Sequence, residues 1–337
     1  MKCRSRTKKH LQPVLVACAF ILIATTLCLY AGKEMPDNTK LIFTTVAYPV
    51  EWSEANTLLL IESIRNFGGD LSQSPIWCFV PDFGPQPSEP FRKRITELNA
   101  ELISFEIERE IARFFFAADI RAAALAESLA DGKTDILAWV SSNTIILQEP
   151  ADLLLAADKN LGYRPVHHAN VGSLYDKPID PFWSLVYRYC NVPEERVFPM
   201  KTHVDQNILR PYFNAGILVI RPEDGLFKTW QDKFFEIYQA PELTELYESD
   251  ERYLIFIHQA LLSGVILSTF APSEIQELPR SYNYPLHLFE EDVTAHRPSS
   301  LDELITVRHE GLQKITDWIN KIPGGEQFKQ WLAERGR

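Results

Sequence analysis

A chain of 337 residues with 46% hydrophobic and 12% aromatic residues is long enough for a sizeable core and too apolar to be disordered. Its formal net charge is −11, and Lys2, Arg4, Arg6, Lys8 and Lys9 all precede the first acid, so the body is more acidic still and is excluded as a nucleic-acid partner. Of the five cysteines, only Cys78 and Cys190 lie beyond the apolar N-terminal stretch, which leaves no disulfide framework and no zinc pattern, with a single bridge open.

Residues 1–12 read as a basic cytoplasmic segment. Residues 14–31 carry no charge, and about 18 helical residues at about 1.5 Å each cover most of a bilayer core. A transmembrane signal-anchor is therefore predicted at 13–32, a cleaved signal peptide being the alternative. The basic run keeps the N-terminus cytoplasmic and places the globular domain on the extracytoplasmic or luminal side. A polar linker, 33–40, leads into one continuous domain, 41–337.

Within that domain a buried strand is predicted at 41–48. The helix at 53–67 has Leu58, Leu59, Ile61, Ile64 and Phe67 at helical spacing and stops at Gly68-Gly69. A strand at 76–80, a helix at 91–99, a strand at 101–106, a helix at 111–130 and a strand at 136–147 follow. This alternation predicts an α/β fold with a mostly parallel central sheet flanked by helices. Ligands of such sheets sit at the carboxyl ends of the strands, so Thr44-Thr45 and Ser141–Asn143 are expected to face one crevice. Beyond Pro150 the pattern loosens. Helices are predicted at 151–157, 181–190, 226–239, 251–262 and 325–334, and strands at 161–165, 212–222 and 304–307. In the helix at 181–190, Trp183, Tyr187 and Tyr189 read as core packing more readily than as a sugar-stacking platform.

The strand at 136–147 is broken once, by Ser141-Ser142-Asn143. In setting this triplet resembles the Asp-x-Asp strand end of GT-A-fold glycosyltransferases, with neutral oxygen-bearing side chains at both acidic positions. Phe213-Asn214-Ala215-Gly216 resembles the Phe-Asn-(Ala/Ser)-Gly strand of glycogenin-like members of that superfamily. Thr44-Thr45-Val46-Ala47-Tyr48, Ser63-Ile64-Arg65, and His258-Gln259 before Leu261-Leu262 are similar to further segments in the same order. His309-Glu310-Gly311 is similar to a shortened His-x-x-Gly turn. The resemblance spans roughly residues 40–315 at the low specificity of short motifs, and it implies fold more firmly than activity.

The resemblance implies a GT-A-like (Rossmann-like) domain that transfers a hexosyl group from a nucleotide-diphospho-sugar to a glycan or protein acceptor. It puts the nucleotide-sugar at Thr44, Thr45, Arg121, Ser141 and Asn143, and the sugar and acceptor at Asn214, Ala215, Gly216, His258 and Gln259. Small residues there let a bulky sugar approach the backbone while one amide reads hydroxyls. Metal-dependent relatives hold Mn²⁺ or Mg²⁺ with the Asp-x-Asp acids, and the neutral triplet, with His258 where the family carries Asp, disfavours such a site here. His203, Asp205 and His309 remain as replacement ligands, and Arg121 or Arg221 as a basic substitute for the metal. The alternative is a catalytically inactive GT-A-like domain kept as a glycan-binding or scaffolding module.

Overall fold

A computed structural model describes residues 40–112, 114–309 and 319–335. The basic segment, the span predicted at 13–32, nearly all of the linker, Glu310 and Gly311 lie outside them. Strands β1 (Leu41–Val46), β2 (Ile76–Pro81), β3 (Glu101–Phe105) and β4 (Ile136–Val140) are parallel neighbours, β1 pairing with both β2 and β4. After β5 (Thr144–Ile146), β6 (Leu161–Pro165) and an antiparallel pair of two-residue strands, β7 (Met200–Lys201) and β8 (Ile208–Leu209), the chain forms β9 (Phe213–Ile220). β9 runs antiparallel between β4 and β6, and β10 (Ile275–Glu277) closes the sheet parallel to β6, giving the order β3-β2-β1-β4-β9-β6-β10. β1 and β4 are buried along their whole length, as strands covered on both faces must be. The mostly parallel α/β sheet expected from the sequence is therefore the frame of the molecule.

The helices are α1 (Glu51–Phe67), α2 (Glu89–Glu97), α3 (Arg109–Ala112), α4 (Ala117–Ala130), α5 (Pro181–Cys190), α6 (Leu226–Ile237), α7 (Pro241–Ser249), α8 (Glu251–Thr269) and α9 (Glu326–Arg335). One core lies on the sheet and includes Leu60, Ile64, Cys78, Ala138 and Val219. A second gathers Ile145, Tyr284, Val307 and Phe328 around a small sheet of β11 (Tyr284–Pro285), β12 (Thr306–Arg308) and β5. Cys78 and Cys190 are buried free thiols, so the bridge left open by the sequence is not formed. Trp183 is fully buried and donates its indole N–H to Val171 O at 2.6 Å, as core packing requires.

Four predicted elements differ from those observed. The strand at 136–147 is two strands in two sheets. Thr144 N–H donates to Ser141 O at 3.0 Å, closing a tight turn that hands the chain from β4 to β5. The helix at 111–130 is interrupted, with Phe116 in the left-handed region at φ 62° just before α4. The break lets Phe114 pack edge-on against Phe234 and Tyr238 while the Phe116 ring stacks on His258, so ring–ring contacts override helix propensity. The helix at 151–157 is only one 3₁₀ turn, Ala151–Leu153. Lastly, the helix predicted to stop at 262 runs to Thr269. Gly264 is not a stop signal: a Cβ there would lie 2.6 Å from Cys190 Sγ, so the glycine lets α5 and α8 approach. By length and composition α8 could cross a membrane, but Ile257, Leu261 and Val265 are buried in the core.

Candidate functional site

Because β9 is antiparallel to β4 and β6, its first residues reach the edge of the sheet where those strands end. A cavity of about 350 Å³ opens at that edge. Ser141 enters it from the turn after β4, His167 from the segment after β6, and Asn214–Gly216 from the start of β9. Asp119 of α4, His258 of α8 and Arg308 of β12 close the other sides.

The turn after β4 is held by its own polar groups. Ser141 N–H donates to Gly216 O at 2.9 Å, Ser141 Oγ–H donates to Asn143 Oδ1 at 2.8 Å, and Asn143 O accepts from His309 N–H at 2.9 Å. Ser141 lines the cavity, whereas the Asn143 side-chain oxygen is engaged by Ser141.

On β9, Asn214 Oδ1 accepts from Gly216 N–H at 2.8 Å and from Arg308 at 3.3 Å, while Ala215 N–H donates to Gln259 Oε1 at 3.0 Å. A Cβ on Gly216 would overlap the Arg308 guanidinium. The space expected to admit a sugar against this glycine is thus occupied by an arginine. His258 Nδ1–H donates to Ile255 O at 2.8 Å, and the ring stacks on Phe116 with centroids 4.2 Å apart. Burial takes its pKa down to about 3, helped by the Arg308 charge, so it is neutral near pH 7.

Asp119 is the functional candidate that sequence reasoning missed. Its carboxylate accepts a hydrogen bond from the Tyr48 hydroxyl, and it is the only carboxylate among the described lining residues. Burial raises its pKa from 3.8 to about 6, against the opposing effects of the Tyr48 hydrogen bond and the Arg308 charge. The available signal was an acid at the start of an alanine-rich helix, Ala117-Ala118-Asp119-Ile120. Arg121, expected at the nucleotide, lies about 200° further around the same helix, and its guanidinium donates to Gln231 on α6 at 2.9 Å.

Other expected residues do not reach the cavity. Thr44 and Thr45 are buried inside β1, and Thr44 Oγ1–H donates to Ala138 O at 3.3 Å. Arg221 follows the far end of β9, at the opposite edge of the sheet, and holds Lys159 O and Ala156 O at 3.0 Å. His203 Nδ1 accepts from Arg164 at 2.8 Å, and Asp205 accepts from Ala169 N–H at 3.0 Å and from the Thr202 hydroxyl. His309 is fully buried, with neither ring nitrogen hydrogen-bonded among the described residues. These three do not converge, and among the described residues no three His, Cys, Asp or Glu side chains form a metal-holding group. A hard dication prefers several oxygen ligands, carboxylates among them. Ser141 and Asn143 offer neutral oxygens already bonded to each other, a donor set that does not fit Mn²⁺ or Mg²⁺.

An α/β sheet with a polar cavity at the carboxyl edge of its parallel strands is the frame of many small-ligand enzymes. Residues 46–266, well over half of the sequence, match the Rhodobacterales glycosyltransferase domain, and the chain belongs to that family. No curated protein matches the chain. Among solved structures it is similar to the apo form of the bifunctional glycosyltransferase WbbM, with a TM-score of 0.48 and 12% identity over 90% of this chain and 53% of that one. It is also similar to the galactosyltransferase LgtC in complex with donor and acceptor sugar analogues, with a TM-score of 0.46 and 14% identity over 87% of this chain and 95% of that one. The chain spans about half the length of WbbM.

Proposed function

We propose that this protein is a membrane-anchored glycosyltransferase of GT-A-like fold, taking a nucleotide-diphospho-sugar into the cavity and transferring the sugar to a glycan or protein acceptor without an Asp-x-Asp metal site. The observation that carries this reading is the cavity itself: within a glycosyltransferase-family domain it brings one carboxylate, Asp119, to a site bordered by Ser141 and Asn214–Gly216. In the transfer the bond between the sugar anomeric carbon and the phosphate oxygen breaks, and the acceptor oxygen bonds to that carbon. The nucleoside diphosphate leaves with the electron pair, and the acceptor proton needs a base. Asp119, with a pKa of about 6, is ionised near pH 7 and suited to receive it. Ser141 borders the nucleotide, Asn214 the sugar hydroxyls, and the half-exposed Phe116 ring gives an apolar face at the rim.

The assay is release of nucleoside diphosphate from a panel of nucleotide-sugars by the full-length chain, with and without Mn²⁺. Release by wild type that persists in a chelator, and falls by at least about 100-fold in Asp119→Asn, supports the reading. The closed Ser141–Asn143 pair favours a second one, a glycan-binding module without turnover. Glycan binding with neither nucleotide binding nor release would establish it. The anchor at 13–32, with a cytoplasmic N-terminus and the domain on the extracytoplasmic or luminal side, is supported by the basic run and the uncharged stretch that follows it. A C-terminal reporter active only in the cytosol would refute that topology.

A further inference from the structure

Arg308 is the only lysine or arginine among the described residues that line the cavity, and its place is fixed from several sides. It ends β12, whose antiparallel pairing with β5 sets Arg308 opposite Thr144, directly after the Ser141–Asn143 turn. Its guanidinium lies over Gly216, where any side chain would collide with it, and it donates to Asn214 Oδ1 at 3.3 Å. Gly216 in turn hydrogen-bonds both Ser141 and Asn214. Its positive charge reaches across the cavity, acting on Asp119, His167 and His258.

Resting on the reading that the cavity takes a nucleotide-sugar, we infer that Arg308 is the diphosphate anchor of the site, its guanidinium held over Gly216 and steadied by Asn214. The chemistry follows from what surrounds it. A departing nucleoside diphosphate gains negative charge that must be balanced where it forms. The strand end where metal-dependent relatives carry acids offers neutral oxygens here, and Arg308 is the fixed cation beside it. A planar guanidinium can donate two parallel hydrogen bonds to phosphate oxygens. The donor then lies with its diphosphate towards Arg308 and its sugar towards Asp119.

The test is titration of the full-length chain with UDP and GDP, and with uridine and guanosine by competition, all in EDTA, for wild type, Arg308→Gln, Arg308→Lys and Gly216→Ala. Arg308→Gln is expected to weaken the preferred nucleoside diphosphate by about 10- to 100-fold, the range for loss of a charge-assisted contact, and to change nucleoside affinity less than about twofold. Arg308→Lys keeps the charge without the fork and falls between. Gly216→Ala displaces the guanidinium without removing it, so it too weakens the diphosphate selectively. Should Arg308→Gln lose its unfolding transition, Gly216→Ala decides by the same comparison. Unchanged diphosphate affinity in the folded variants, or equal loss for diphosphate and nucleoside, overturns the assignment. A wild-type protein that binds no nucleotide at all overturns the nucleotide-sugar reading, and the anchor with it.

Discussion

Asp119 and Phe116 line the cavity, and both have costs that can be measured. The carboxyl of Asp119 has a folded pKa raised from 3.8 to about 6, chiefly by burial, so the folded state holds its proton more tightly than the unfolded one. Its contribution to stability is complete below about pH 3.8 and is lost as the pH rises through about 6. Relative to Asp119→Asn, the wild type should therefore lose up to roughly 3 kcal/mol between pH 4 and pH 7.5, measured by chemical unfolding at each pH. A flat difference would mean that the carboxyl is solvated. Phe116 is strained at φ 62°, a conformation costly for a bulky side chain. Phe116→Gly should relieve that strain, by up to roughly 1 kcal/mol set against the lost ring stacking, yet weaken nucleotide-sugar binding by about tenfold if the ring shapes the rim. Unchanged binding would remove Phe116 from the site.

At the scale of elements, the sheet edge was legible and its furnishing was not. Alternating buried strands and amphipathic helices marked the parallel sheet, and the Asn214–Gly216 strand was expected at the site it borders. Asp119 was hidden because helix periodicity shows which residues share a face, not which face meets a cavity. Arg308 was hidden because the strand predicted at 304–307 stops one residue short of it, and its position depends on β5–β12 pairing across more than 150 residues of chain. Cross-element capping is equally invisible in sequence. Helix α6 has no side-chain cap of its own, and Glu127 of α4 supplies one, accepting from Phe227 N–H at 3.0 Å and Lys228 N–H at 2.8 Å. Glu127→Ala strands the buried Phe227 amide and frees the part-buried Lys228 amide, and should cost about 2 kcal/mol in unfolding free energy. A loss below about 0.5 kcal/mol would show that the amides find other partners.

For the whole molecule, the site joins two sheets, since Gly216 belongs to the main sheet and Arg308 to the small one. The small sheet is backed by α9, where Phe67, Phe328 and Trp331 pack with ring centroids 5.2–5.8 Å apart and Arg335 pairs with Glu62 at 2.5 Å. Phe328→Ala should destabilise the fold by about 3 kcal/mol while leaving nucleotide affinity unchanged well below the melting temperature. A variant that loses affinity while still folded would show that α9 tunes the site. Whether a sugar-nucleotide transferase operates here without an Asp-x-Asp metal seat is decided by calorimetric titration of the full-length chain with UDP, GDP and their sugars, in Mn²⁺ and in EDTA. Binding of at least one nucleotide-sugar with the same affinity in both is expected. Binding that vanishes in EDTA, or no nucleotide binding in either, would contradict it.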